Sequence, residues 1–333
     1  MAATSAPLTS PGEAAHSSYP SGLALILVTL LLFGVWSNSF IAIEYLLGTP
    51  TSPGAFDWLA LLNVRFALVA VICTLYVALF RGRETLAILR AHWRRLIFSA
   101  IFCVWGYNSL LYYGQQAGVP APIASLETAL APLFLMLLAA CFLGERLSKR
   151  KLLGFVVALA GVTMIALAKG GLDSAYPLIV ALTAGAPLSW AIFSIITKPI
   201  SHKVDSTLWS YLVVIIGGLP LIALLPLSGG EQLLAIDAAG AGAMAFLVLP
   251  CTVLGFALWA WLLKYMPASS VGFTVFLNPP MTTSFKAIYA LILPAIFSFE
   301  VVNQEMLGGA LALTGLAIAV VRRSSVKRAR LED

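Results

Sequence analysis

Charge is what this chain has least of. Only 10% of its 333 residues are Asp, Glu, Lys or Arg, where a soluble domain carries about a quarter. That scarcity excludes an ordinary water-soluble fold. Histidine is nearly absent too: His16, His92 and His202 lie in the tail and in expected loops, so a histidine proton relay at mid-membrane is not expected. The four cysteines (Cys73, Cys103, Cys141, Cys251) are far apart with no CxxC or metal spacing. They read as small buried hydrophobes rather than ligands or a disulfide framework. No GxxxxGK[ST] sequence is present, so no nucleotide-hydrolysing loop is expected. Nor does any nucleophile or metal constellation appear; no cofactor is expected, and the chain does not read as an enzyme.

What fills the chain is apolar sequence. Sixty per cent of residues are apolar and the mean hydropathy is +0.96. The apolar residues come in runs near the ~20 residues that cross a ~30 Å hydrocarbon core as a helix. An outer-membrane barrel would instead read as short alternating segments. The fold class is therefore an all-α polytopic membrane protein. The expectation is ten transmembrane helices over roughly 22–46, 57–80, 96–116, 122–143, 152–168, 176–197, 207–227, 239–264, 268–297 and 304–321. Pro122 and Pro177 mark first turns. "GTPTSPGAF" and "LSGGEQ" are turn-rich connectors. Residues 1–21 lack Lys and Arg and are rich in Ala, Ser, Thr and Pro; they read as a disordered cytoplasmic tail and a poor signal peptide.

The net charge of +6 is an orientation signal, not a nucleic-acid signal. With the N-terminus inside, the inner loops hold Arg81, Arg83, Arg90, Arg94 and Arg95, then Arg146, Lys149, Arg150 and Lys151, then Lys198, Lys203 and Lys264. The basic tail 322–333 adds Arg322, Arg323, Lys327, Arg328 and Arg330. The outer loops hold Lys169 alone. By the positive-inside rule both termini are cytoplasmic, in what would be a bacterial inner membrane.

The two halves match. "WSNSFIAIE" at Trp36 corresponds to "WAIFSIITK" at Trp190, and "VPAPIASLETALAP" (119–132) to "MPASSVGFTVFLNP" (266–279). "ERLSKRKLLGFVVALAGV" (145–162) corresponds to "EVVNQEMLGGALALTGLA" (300–317). Each expected repeat, 22–170 and 175–321, holds five helices. Five is odd, so the second enters the membrane inverted, the pattern of gradient-driven carriers with alternating access around a midplane site.

On "FGVWSNSF", on "LAPLFLMLLAACFLGERLSKRKLLGFVVALAGV" with Pro132, Glu145, Gly154 and Gly161, and on the weaker second copy, the chain resembles the EamA-type drug/metabolite transporters. The second half departs by an insertion around "ALILPAIFSFE" and by lacking a Gly before Glu300. The resemblance implies ten helices, a central cavity lined by helices 1, 3, 4, 6, 8 and 9, and a small polar or amphipathic metabolite such as an amino acid as substrate. A sugar or nucleotide-sugar carrier and a drug exporter are alternatives within that class. A non-transporting membrane scaffold or sensor is the alternative outside it, and a membrane enzyme ranks third.

Several residues point to the site. Pro132 lies about ten residues into helix 4, with Pro279 and Pro280 at a similar depth in helix 9, so both breaks fall near the midplane. A mid-helix proline frees a backbone carbonyl, which in a membrane needs another partner; the breaks are packing kinks or cavity walls, and their symmetric placement favours the cavity. Glu127 is expensive in a span unless paired or wet; it could bind a substrate amine, titrate as a coupling proton site, or snorkel to the outer interface. Lys286 and Arg65 are the deep cations, each able to pair a carboxylate or a substrate anion. Asn38, Asn108, Gln115, Gln116 and Asn278 add neutral hydrogen-bonding groups. Tyr107, Tyr112, Tyr113, Trp259 and Trp261 add aromatic faces or an interfacial belt. Trp36 and Trp190 stand out as repeat-related and deep. The substrate-binding set is thus Trp36, Asn38, Tyr107, Asn108, Tyr112, Glu127, Trp190, Trp259, Asn278 and Lys286. Glu44, where the resembled family often has a basic residue, reads as an interfacial or gate charge. The small residues Gly154, Ala158, Gly161 and Gly308, Ala312, Gly315 suit tight helix packing, within a protomer or between two in a homodimer. Glu145 reads as a structural carboxylate at a helix N-terminus.

Overall fold

The computed structural model describes residues 20–50, 52–143, 149–167, 175–197, 199–200, 203–265, 274–298 and 303–320. Most of the N-terminal tail, the basic C-terminal tail, Glu145, Lys198, Lys169, His202 and residues 266–273 lie outside them. Among the described residues the protein is helical, apart from a two-residue antiparallel ribbon in which β1 (Gly48–Thr49) pairs with β2 (Ser52–Pro53).

The helices are α1 (Gly22–Leu47), α2 (Trp58–Phe80), α3 (Gly82–Ala100), α4 (Tyr107–Gln116), α5 (Ala121–Thr128), α6 (Ala131–Leu143), α7 (Lys149–Ala166) and α8 (Tyr176–Thr183). They continue as α9 (Gly185–Thr197), α10 (Ser206–Leu224), α11 (Gly230–Ala235), α12 (Ala238–Phe246), α13 (Gly255–Tyr265), α14 (Asn278–Ile292) and α15 (Asn303–Val320). Two π-helical stretches join consecutive pairs: π1 (Ile101–Gly106) between α3 and α4, and π2 (Leu247–Leu254) between α12 and α13. Among the described residues seven helical runs are long and apolar enough to span a membrane: 22–47, 58–80, 82–116, 121–142, 176–197, 206–224 and 238–262. Two shorter apolar helices cover Leu152–Ile165 and Met306–Gly315.

The scarce acids start helices. Asp57, Asp205 and Asp237 each accept hydrogen bonds from first-turn amides, satisfying groups that have no partner within the helix. Large apolar side chains point outward, among them Leu23, Ile26, Leu79, Phe80, Leu153 and Met306. Outward apolar faces on so many helices are stable against lipid and would drive aggregation in water. The protein is an integral, multi-pass membrane protein.

Four expectations change. The third helix begins at Gly82, not near 96. Residues 82–95 hold no proline and continue as one helix with a kink at His92 (φ −133°, ψ 16°), so His92 is not in a loop. Of the ninth helix, where the sequence expects a break at Pro279 and Pro280, residues 268–273 lie outside the described ones. A 3-10 turn (Val275–Leu277) leads into α14, and the two prolines occupy its first turn, where a missing N–H costs nothing. Its far end comes at Ile292, before Pro294, instead of at 297; a residue preceding proline is pushed out of the helical region. Finally, Cys73, Cys103 and Cys251 are buried as expected, but Cys141 is exposed.

The small-residue faces pack against each other inside one chain. A Cβ on Gly161 would lie 2.4 Å from the Ala312 amide nitrogen and 2.5 Å from the Gly308 carbonyl oxygen; one on Gly315 would lie 2.3 Å from the Ala158 nitrogen. These are backbone atoms on the facing helix and cannot rotate away. Gly161→Ala is therefore expected to destabilise the protein by about 1–3 kcal/mol through forced separation of α7 and α15. Gly242→Ala, which meets nothing within 4 Å, should be neutral or slightly stabilising. Thermal melts of the two variants in detergent check the contrast; equal melting temperatures would refute it.

Candidate functional site

A cavity of about 110 Å³ opens where α1, α2, π1, α4, α9, π2, α13 and the α5–α6 and 3-10 breaks converge. One water needs about 10–15 Å³, so the space has room for several waters and is no packing defect. Its wall includes Trp36, Ser39, Arg65, Tyr107, Asn108, Thr128, Trp190, Cys251, Thr252, Phe256, Trp259 and Asn278.

The wall is built from helix irregularities. At π2 the Gly255 amide donates to the Pro250 carbonyl, five residues back. That shift leaves the Cys251 carbonyl without its usual helical donor, and the Trp36 indole N–H donates to it at 3.0 Å. The Thr252 hydroxyl likewise donates to the Leu247 carbonyl at 2.8 Å. At π1 the Asn108 side-chain amide donates to the carbonyls of Cys103 and Val104, both at 3.0 Å. Each π stretch thus turns backbone polarity toward the cavity and is closed by a cavity-lining side chain. π-bulges are a frequent mark of functional sites. Pro132 acts similarly: the helix breaks after Thr128 and restarts at Ala131, placing Thr128 and Ala131 on the wall.

Aromatic rings make up most of the remaining wall. Trp36 sits edge-on to Trp190 with centroids 6.5 Å apart and 5.5 Å from Trp259. Trp190 lies 5.4 Å from Tyr107 and stacks with Phe256 at 6.5 Å. Among these rings Arg65 is 8% exposed. Its Nε and Nη2 donate to the Thr252 hydroxyl oxygen at 3.2 and 2.9 Å, and its Nη1 donates to the Tyr112 hydroxyl.

Six of the ten expected site residues line the cavity: Trp36, Tyr107, Asn108, Trp190, Trp259 and Asn278. The other four stand behind or away from it. Asn38 donates to the Gly34 carbonyl at 2.9 Å and accepts from the Tyr289 hydroxyl at 2.7 Å. Tyr112 is fully buried and holds Arg65. Glu127 on α5 is fully buried, and neither carboxyl oxygen has a hydrogen-bond partner among the described residues; it does not snorkel. Lys286 on α14 donates to both oxygens of Glu44, at 2.6 and 2.8 Å. Glu44 also accepts from the Ala121 amide at 3.2 Å, at the start of α5. Glu44 is thus no loose interfacial charge; it ties α1, α5 and α14 together. Gln115 and Gln116 are structural as well: Gln115 donates to the Phe40 carbonyl and Gln116 accepts from the Trp58 amide.

Arg65 and Thr252 are the important wall residues that did not enter the expected set. Arg65 sits on helix 2, outside the helices that the family resemblance placed around the cavity. Its sequence signal was its charge inside an apolar run. Thr252 carried no signal, because a lone threonine in a span is ordinary.

A model of the EamA-like transporter family matches residues 21–167 and again 177–321. A probable terminal-alkyne amino-acid exporter of Streptantibioticus cattleyicolor is 29% identical over 67% of this chain and 71% of its own length. A probable amino-acid metabolite efflux pump of Escherichia coli K12 is 27% identical over 88% and 93% respectively. One solved crystal structure superposes with a TM-score of 0.58 at 18% identity, covering 90% of this chain and 97% of the other; that likeness is one of fold.

Proposed function

This chain belongs to the EamA-like transporter family, and from that premise we propose that it is a gradient-driven exporter of an amino acid or a related small amphipathic metabolite. The observation that carries the reading is the cavity itself. It has room for several waters, is aromatic-walled and is enclosed by interrupted helices, as a site for a small amphipathic solute near mid-membrane should be. The similar proteins named as a probable amino-acid exporter and a probable amino-acid metabolite efflux pump point to amino-acid efflux.

In this reading ten helices form two inverted repeats, 22–170 and 175–321, and rock about the cavity in alternating access. Both termini face the cytoplasm of a bacterial inner membrane. Trp36, Tyr107, Asn108, Trp190, Trp259 and Asn278 contact substrate. Asn38, Tyr112 and Lys286 hold those helices in place, and Glu127 is the coupling proton site.

Counterflow in proteoliposomes tests the proposal. Vesicles preloaded with unlabelled amino acids should accumulate the labelled counterpart of at least one with saturable kinetics, without ATP. Folded protein that gives no saturable flux for any amino acid or close derivative would sink it.

A further inference from the structure

We propose that Arg65 is a carboxylate-binding subsite, so that the solutes this protein accepts are carboxylic acids held by the guanidinium while their apolar part lies against the tryptophans. The inference rests on the transport reading above and adds the chemical group that is recognised.

Three observations carry it. Arg65 lies on the cavity wall and is almost enclosed. Among the described residues no carboxylate forms an ion pair with it; Glu44 is engaged by Lys286. A buried cation without a counter-charge is costly in a membrane protein, and such a cation on the wall of a cavity with room for a small solute is poised to take an anion from a ligand.

The third observation is the way the guanidinium is held. A guanidinium carries five N–H donors in a planar fork. Three are engaged, all by neutral hydroxyls: Nε and Nη2 by Thr252, and Nη1 by Tyr112. The Thr252 proton is committed to the Leu247 carbonyl, so its oxygen can only accept from Arg65. Each Nη keeps one further N–H. Donors left on both Nη nitrogens are available to the two oxygens of a carboxylate. Thr252 and Tyr112 therefore act as positioning residues, fixing the plane of the fork without neutralising it. Lys286, the other deep cation, already has both oxygens of Glu44 and is no substitute.

The test compares acids with their uncharged and amine analogues on unchanged protein. Binding of the twenty common L-amino acids to purified protein in detergent is followed by quenching of tryptophan fluorescence. Each amino acid that binds is then replaced by its amide and by its decarboxylated amine. Both analogues should bind roughly 10- to 100-fold more weakly, the loss expected for a charge-assisted bidentate contact. R65Q should lose that discrimination, binding acid and amide within about threefold of each other, because the acid weakens and the amide does not. R65K should recover only part of it, because an ammonium lacks the fork.

Amides or amines that bind wild-type protein as tightly as the acids overturn the subsite. So does an R65Q variant that keeps the discrimination, and so does a failure of every amino acid to bind. If R65Q does not fold, the wild-type analogue series decides alone. Saturable counterflow with no preference for acids would leave the transport reading standing and remove this one; discrimination in binding with no flux would do the reverse.

Discussion

Lys286→Met is expected to destabilise the folded protein by about 3 kcal/mol, the range measured when one partner of a buried ion pair is removed. The Lys286 side chain is 10% exposed and that of Glu44 20%, so solvent screens little of the contact. Methionine fills the space of the lysine stem but leaves the Glu44 carboxylate with only the Ala121 amide. The loss comes from stranding that charge, not from the intrinsic worth of the pair. The double variant Glu44→Leu with Lys286→Met removes both charges and should recover most of the stability, leaving a deficit of about 1 kcal/mol for the unpaired helix-start amide. Because the three groups come from α1, α5 and α14, breaking the contact should also loosen the cavity wall those helices carry. Melting temperatures of the three proteins in detergent check this. A single variant as stable as wild type, or a double variant no better than the single, would show that the pair is not the tie described.

Glu127→Gln is expected to abolish the dependence of transport on a transmembrane pH difference while leaving the fold intact. The carboxyl is fully buried, and its oxygens have no hydrogen-bond partner among the described residues. Such a group is kept at a cost of about 1–3 kcal/mol, which an inert structural residue would not justify. Its neighbour Thr128 lines the cavity, so a change of charge at Glu127 occurs one residue from the substrate space. Glutamine preserves shape and cannot exchange a proton. Counterflow under equal pH should persist in the variant, whereas uptake driven by an imposed pH step should fall to the rate without one. A companion variant, Glu127→Leu, should raise thermal stability by removing the unpartnered polar group. Unchanged pH response in the glutamine variant would end the coupling proposal, and a less stable leucine variant would assign Glu127 a structural role.

The tryptophans illustrate what could be read in advance. The same short motif recurs around Trp36 and Trp190, and the structure brings their rings together on one cavity wall. Pro132 likewise announced a break, since a ring that removes a helical donor acts locally whatever surrounds it. Lys286 and Glu44 show the opposite case. They stand 242 residues apart, and no local pattern says that two charges so distant share one proton-rich contact. The π stretches were only partly legible. Ile101–Gly106 reads as ordinary apolar helix; Leu247–Leu254 carries Pro250, which removes a helical donor, but the shift from four- to five-residue hydrogen bonding is settled by the side chains that satisfy the freed carbonyls.

The sequence by itself determined that this is a helical membrane protein, because apolar runs of span length leave the backbone no other way to satisfy its polar groups in lipid. It also determined the transporter class, through repeated motifs. Only the tertiary structure decided which polar residues face a cavity and which neutralise each other. In a membrane interior an unpartnered polar group is costly, and whether its partner is another residue or the substrate depends on how the helices converge. That convergence pairs Lys286 with Glu44 and leaves Arg65 facing the cavity.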